Sequence, residues 1–256
     1  MTGKVYLVGA GPGAADLLTV RALRLLQSAD VVLHDALVTD EILQFVRKGA
    51  EIIDIGKRRG QKLLTQDEIN ALLIAYAGTH SVVVRLKGGD PTIFGRVGEE
   101  IASLDAAAVP YEIVPGVTAA LASAAAAGLS LTDRRYASSV VFATAHLKSD
   151  DTADWKKLVA SGSTLAIYMP GQDYSLLASQ LHEAGTAFDT PCAVVSAAQR
   201  PEQQIFWTNL RALSKSPALP APSLVIVGEC AAALERLQPL SAIERDASAF
   251  REVAHD

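Results

Sequence analysis

The chain has 256 residues, half of them apolar and a fifth charged, enough to bury a large core as one big or two medium domains. Its 23 basic and 28 acidic residues leave a formal charge of -5. That balance excludes the broad positive footprint of a nucleic-acid binder, so any anionic ligand must be met by local cations. The two cysteines, Cys192 and Cys230, lie far apart; neither a disulfide framework nor a paired-cysteine metal site is indicated, and a reducing cytoplasmic setting is expected.

Met1 leads into Val5-Tyr6-Leu7-Val8 and then glycines, without the basic region and long apolar stretch of a secretory signal. Residues 5–8, 31–33, 52–55, 82–86 and 111–114 read as strands with helical periodicity between them, a parallel α/β pattern. Thr65-Gln66-Asp67-Glu68 is a capping box, which predicts a helix from there through Ala77. Pro115-Gly116 interrupts the alternation. Residues 117–131 follow, alanine-rich, too short for a bilayer span and bracketed by Asp133-Arg134-Arg135; they predict a tightly packed helix and no membrane anchor. Residues 140–144, 165–168, 193–196, 204–207 and 224–227 are the later strand candidates. The connection 197–203 is too short for a helical crossover, so the second sheet should be mixed, with an antiparallel hairpin. The expected division is a first α/β lobe over residues 1–115, a second over 116–240, and a charged, alanine-rich tail over 241–256 that frays.

Gly9-Ala10-Gly11-Pro12-Gly13 follows the first strand, and Asp35 ends the second, so a dinucleotide-binding fingerprint has to be weighed. The spacing is G-x-G-x-G, and Pro12 removes an N–H from any pyrophosphate cradle. A nicotinamide site and a plain structural turn both stay open for this loop. At the end of the fourth strand stands Arg85-Leu86-Lys87-Gly88-Gly89-Asp90-Pro91, and Phe94-Gly95-Arg96-Val97-Gly98-Glu99-Glu100 opens the next helix. Strand ends are where open α/β sheets bind ligands. Adjacent glycines let a ligand touch the backbone, Asp90 offers an acceptor, and Pro91 stiffens the exit.

With these motifs the chain resembles the uroporphyrinogen-III C-methyltransferases. The likeness also rests on Asp16-Leu17-Leu18-Thr19, Asp35-Ala36-Leu37-Val38, Gly56-Lys57-Arg58, Gln66-Asp67-Glu68-Ile69-Asn70, Val114-Pro115-Gly116-Val117-Thr118-Ala119 and Leu131-Thr132, in one order over about residues 3 to 230. The resemblance implies a two-lobed tetrapyrrole methylase fold, with a parallel-type first lobe and a mixed-sheet second lobe. S-adenosylmethionine would lie in the cleft between them, and the protein would be a homodimer. Donor contacts carry over to Pro12, Gly88, Gly89, Asp90, Ile93, Thr118, Ala119, Met169 and Ala198; seen alone, a methionine such as Met169 is more often core filler than a ligand contact. The implied reaction methylates C2 and C7 of uroporphyrinogen III, giving precorrin-1 and then precorrin-2, on the way to sirohaem, cobalamin or haem d1.

For that chemistry Asp35 matches the family's proton acceptor, with a helix cap or turn residue as its plainer reading. Lys57 matches the proton donor, and binding a substrate carboxylate serves equally well for it. Arg96 and Glu99 share a helix face, as a surface ion pair or as cleft residues. The substrate's eight carboxylates suit planar guanidinium groups, so Arg96 and Arg134 are the candidate clamps, and His146 helps orient substrate or is structural. The chain departs from the family at Asp133, where histidine is usual, and at Thr92, Val97 and Ala145. Asp133 would put an anion beside an anionic substrate. No dehydrogenase or chelatase domain precedes the motifs in this sequence, so methylation alone is expected. The rival readings are a methylase of a later precorrin, a non-catalytic tetrapyrrole or donor binder, and the nicotinamide dehydrogenase.

Overall fold

The computed structural model describes residues 3–56, 64–145 and 154–234. Lys57, His146 and the tail expected over 241–256 lie outside the described residues.

Five strands, β1 (Lys4–Gly9), β2 (Val31–His34), β3 (Glu51–Asp54), β4 (Val82–Lys87) and β5 (Tyr111–Val114), form an all-parallel sheet in the order β3-β2-β4-β1-β5. Helices α1 (Val20–Ser28) and α2 (Asp40–Leu43) cover one face, and α3 (Gln66–Thr79) and α4 (Val97–Ala106) cover the other. Strand alternation produces this split: Val5, Leu7, Val31, Leu33 and Val83 point to the α3–α4 side, while Val8, Val32, Val84 and Leu86 point to the α1–α2 side. The capping box forms as expected. Thr65 Oγ1 accepts from the Glu68 N–H at 3.2 Å, and a Glu68 carboxylate oxygen accepts from the Thr65 N–H at 2.7 Å.

The chain leaves β1 toward β2, on the far side of β4, and leaves β4 toward β5, on the far side of β1. Such a reversal opens a crevice outside the carboxyl ends of the two central strands. Those ends carry the two glycine motifs.

The second sheet contains β6 (Val140–Thr144), β7 (Thr164–Tyr168), β8 (Pro191–Ser196), β9 (Gln204–Asn209) and β10 (Ser223–Val227), in the order β6-β7-β10-β8-β9. Only β6 and β7 pair in parallel; β8 and β9 form the expected antiparallel hairpin. Its helices are α5 (Ala119–Ala126), α6 (Trp155–Ala160), α7 (Ser175–Glu183) and α8 (Leu210–Leu213). Leu165, Ile167, Cys192, Val194, Val225 and Val227 pack under α6, α7 and α8, whereas Ala166, Tyr168, Ala193, Val195, Leu224 and Ile226 pack under α5. The small side chains of α5 allow that close approach. No helix among the described residues is long and apolar enough to cross a membrane.

Ile93, in the loop after β4, packs into the same layer as α5. The glycine-pair loop of the first sheet thereby reaches into the core of the second.

Candidate active site

Where β1, β4 and β5 end, backbones meet without side chains between them. A Cβ on Gly9 would stand 2.6 Å from the Gly116 nitrogen and 2.7 Å from the Gly89 oxygen, contacts no side chain tolerates. Gly11 and Gly89 exchange two backbone hydrogen bonds at 3.1 and 2.8 Å. Asp90 locks this junction: Oδ1 accepts from the Thr92 N–H at 2.8 Å and its hydroxyl at 2.5 Å, while Oδ2 accepts from the Gly116 N–H at 3.0 Å. Both oxygens of Asp90 thus serve the turn, a task the motif alone did not disclose. Thr92 supplies a hydroxyl to that turn where the resembling family usually has phenylalanine.

Gly88 and Gly89 are only half-buried. Gly89 has φ +69°, and a Cβ added there would find no atom nearer than 3.9 Å, the closest belonging to Thr118 and Ala119. The open flank of the glycine pair therefore looks toward the start of α5. Thr118 does not cap that helix; its hydroxyl lies 2.7 Å from the Tyr168 hydroxyl, which accepts from the Ala120 N–H at 3.1 Å. Burial raises the Tyr168 phenol above its ordinary value, and the Thr118 bond opposes this. Phe94 from the β4 loop stands over Tyr168 with ring centroids 4.8 Å apart.

Left-handed backbone concentrates here. Phe94, Arg96, Met169, Ala197 and Gln199 all have φ between 47° and 64°, on the loops after β4, β7 and β8. Each non-glycine residue so held costs roughly 1–3 kcal/mol, and such positions gather where function over-determines the backbone. Met169 and Phe94 remain exposed despite their size. Ala198 and Ala119 pack at the margin of the α5 layer.

The first glycine loop is buried from Gly9 through Ala14. Arg200, from the β8–β9 connection, roofs it: Nε donates to the Pro12 carbonyl at 2.8 Å and Nη2 to the Leu37 carbonyl at 2.8 Å. A side chain on Gly13 would collide with that guanidinium. A single 3-10 turn, Ala15–Leu17, follows the loop, and the α-helix does not begin until Val20. Among the described residues no α-helix opens directly from the loop toward a pyrophosphate, which removes the main physical support of the nicotinamide reading.

Asp35 follows β2 directly. Its N–H bonds the Leu86 carbonyl at 3.2 Å, and two residues on, Leu37 lies against Gly88. Its carbonyl closes a turn with Val38, so the turn reading describes its backbone. Its side chain does something else: Oδ1 accepts from Arg85 Nη2 at 2.5 Å. Arg85 and Lys87, two apart on β4, share the strand face that looks at α4, and both donate to Glu100 Oε1 at 2.9 Å. Burial, and then repulsion from Arg85, hold Lys87 below the ordinary lysine range.

Arg96 opens α4, with its Nε and Nη2 on the Glu99 carboxylate at 2.7 and 2.6 Å; both side chains are about half-exposed. Arg134 is exposed, and no hydrogen bond or ion pair among the described residues ties it to the glycine pair or Asp35. Asp133 is held at 2.8 and 3.0 Å by the Arg135 guanidinium, which pulls its carboxyl down to about 2. The anion expected beside the substrate is therefore neutralised locally.

A family model described as tetrapyrrole (corrin/porphyrin) methylases matches residues 4–214. The chain is 47% identical over 251 residues to a siroheme synthase of Pseudomonas aeruginosa, covering 96% of this chain and 54% of that protein. To siroheme synthase 1 of Klebsiella pneumoniae it is 48% identical over 230 residues, 89% of this chain and 49% of that one. It thus spans about half the length of the curated relatives it matches. Among solved structures, a uroporphyrin-III C-methyltransferase from Thermus thermophilus complexed with S-adenyl homocysteine aligns with TM-score 0.79 and 38% identity, over 89% of this chain and 98% of that one. A cobalt precorrin-4 methyltransferase aligns with TM-score 0.74 and 30% identity, over 88% and 94% of the two chains.

Proposed function

Because the chain belongs to the tetrapyrrole methylase family, we propose that it transfers methyl groups from S-adenosylmethionine to C2 and C7 of uroporphyrinogen III, giving precorrin-2 by way of precorrin-1. The observation that carries this reading is the half-buried Gly88–Gly89 backbone, open toward Thr118 and Ala119, with Asp35 at the neighbouring strand end. The names of the siroheme synthase relatives support sirohaem as the destination. In this reading residues 1–115 and 116–240, the latter described as far as Leu234, are two lobes, and the protein works as a homodimer in the cytoplasm.

The residues present fit the donor. Gly88 and Gly89 admit a nucleoside against bare backbone, Thr118 and Ala119 form the facing wall, and Ile93, Met169 and Ala198 border it with apolar surface. Pro12 and Asp90 shape this wall from behind, their oxygens already bonded inside the chain. When bound, S-adenosylmethionine supplies a methyl on a positively charged sulfur, a group already activated for displacement. The chain's own contribution is alignment, which is worth several kcal/mol when reacting atoms are held in line. Attack leaves the pyrrole cationic. Asp35, a third exposed, stabilises that charge and accepts the proton the macrocycle loses. Arg96 and Arg134 bind substrate carboxylates, Arg96 by trading Glu99 for the substrate or by binding it alongside Glu99. Lys57 donates a proton or pairs with a carboxylate, and His146 orients the macrocycle.

A later precorrin is the alternative substrate, favoured by the likeness to the cobalt precorrin-4 enzyme. The greater identity to the siroheme synthases favours uroporphyrinogen III. Incubating the purified protein with uroporphyrinogen III and donor, under reducing conditions, should yield mass gains of one and then two methyl groups. Macrocycle returned unmodified would reject the activity, and methylation only of an already methylated precorrin would select the alternative. Donor and macrocycle binding without turnover would mark a non-catalytic binder.

A further inference from the structure

We infer that Arg85 is a positioning residue for Asp35, held in place by Glu100, and that this buried charge network sets where the Asp35 carboxylate stands at the cleft. The inference rests on the proposed role of Asp35.

Arg85 is 3% exposed and Glu100 fully buried, on a central strand and its covering helix, between apolar layers. Burying such a pair is expensive. Well-packed apolar residues of similar volume are often as stabilising or more so, so a buried ion network is poorly explained by stability alone. What distinguishes this network is its outward end. Of its four members, Arg85, Lys87 and Glu100 are sealed, and only Asp35 reaches the surface, at 32% exposure.

The guanidinium's geometry transmits position. Three of its nitrogens are committed: Nε to Glu100 at 2.9 Å, Nη1 to the Leu86 carbonyl at 3.2 Å, and Nη2 to Asp35 at 2.5 Å. A planar group fixed at two points has no freedom left at the third, which a flexible ammonium could not achieve. Lys87 adds a second donor to the same Glu100 oxygen, steadying the anchor. Arg85 engages only Oδ1 of Asp35. Among the described residues Oδ2 carries no hydrogen bond, which leaves it for the macrocycle.

The test compares kcat, macrocycle KM and donor Kd in Arg85→Gln, Arg85→Lys, Asp35→Asn and the double variant Asp35→Asn with Arg85→Gln. A carboxylate displaced by about 1 Å loses on the order of 100-fold in rate. Arg85→Gln should therefore lose about 100-fold in kcat, with KM and donor Kd changed by less than about threefold. The double variant should be no slower than Asp35→Asn, because Arg85 acts only through Asp35. Arg85→Lys keeps the charge and the Glu100 pairing, and so should fold even where the glutamine variant does not. It should still lose at least about tenfold in kcat, because an ammonium cannot fix two carboxylates in one plane. Unimpaired kcat in Arg85→Lys, or a double variant slower than Asp35→Asn by the full Arg85 factor, overturns the inference. An inactive wild type would instead sink the proposed function, which keeps the two failures apart.

Discussion

Arg200 donates from Nε to the carbonyl oxygen of Pro12 at 2.8 Å, joining a loop of the second sheet to the buried glycine loop of the first. Its Nη2 bonds Leu37, two residues from Asp35. One side chain thus helps tie the two halves together behind the glycine pair. Hydrogen bonds to charged groups contribute about 1.5–3 kcal/mol, and a carbonyl left bare in a buried loop adds to the loss. Arg200→Ala should therefore lower stability by about 2–4 kcal/mol in urea titration, and weaken donor binding through the slackened cleft. A variant as stable as wild type would show that other contacts hold the halves.

Gly89→Ala separates access from folding. The position has φ +69° but no atom within 3.9 Å of an added Cβ, so the expected stability cost is the left-handed penalty alone, about 1–2 kcal/mol. The added methyl occupies the flank facing Thr118 and Ala119. Donor Kd measured by calorimetry should weaken at least about tenfold, a loss of about 1.4 kcal/mol. Unchanged donor affinity would move the donor away from the glycine pair.

Much of this architecture can be read in the residues. All ten strands among the described residues follow from short apolar runs, the Thr65–Glu68 box predicts α3, and the short connection 197–203 predicts the hairpin. The charge network could not be found that way, because a strand pattern that includes Arg85 says nothing about which carboxylate meets it. One signal was present. β4 is a central parallel strand covered on both faces, and charged side chains there must find buried partners, which directs attention to Glu100 on the following helix. The left-handed backbone at Phe94, Met169, Ala197 and Gln199 had no such signal, since none is glycine or asparagine. Arg200 stands in the connection 197–203, whose length predicts the hairpin and says nothing of the carbonyls its guanidinium meets.

Tyr168 supplies the hydroxyl that satisfies both Thr118 and the Ala120 N–H. Tyr168→Phe leaves those groups buried without it, and should cost about 1–3 kcal/mol at neutral pH. Burial raises the phenol in the folded chain, so the unfolded tyrosine ionises first, near pH 10. The raised value contributes stability that is complete below pH 10 and drains away as pH climbs through the folded value. The advantage of wild type over Tyr168→Phe should accordingly narrow above about pH 10, read as the gap between their urea midpoints. A gap that stays constant into strong alkali would place the phenol in contact with water.

Arg96 offers a variant whose stability and activity should move in opposite directions. It holds φ 57° at the start of α4, a conformation that costs a non-glycine residue about 1–2 kcal/mol. Its ion pair with Glu99 is half-exposed and contributes under about 1 kcal/mol. Glycine relieves the backbone and forfeits only that pair, so Arg96→Gly should be as stable as wild type or more stable by up to about 1 kcal/mol. The guanidinium proposed to meet a substrate carboxylate is gone, however. The macrocycle KM should rise at least about tenfold, the loss of one charge-assisted contact of about 1.5–3 kcal/mol. A stable variant with unaltered KM would confine Arg96 to its pair with Glu99; a destabilised one would mean the pair holds the helix start, and that the left-handed turn is maintained for folding instead of for substrate.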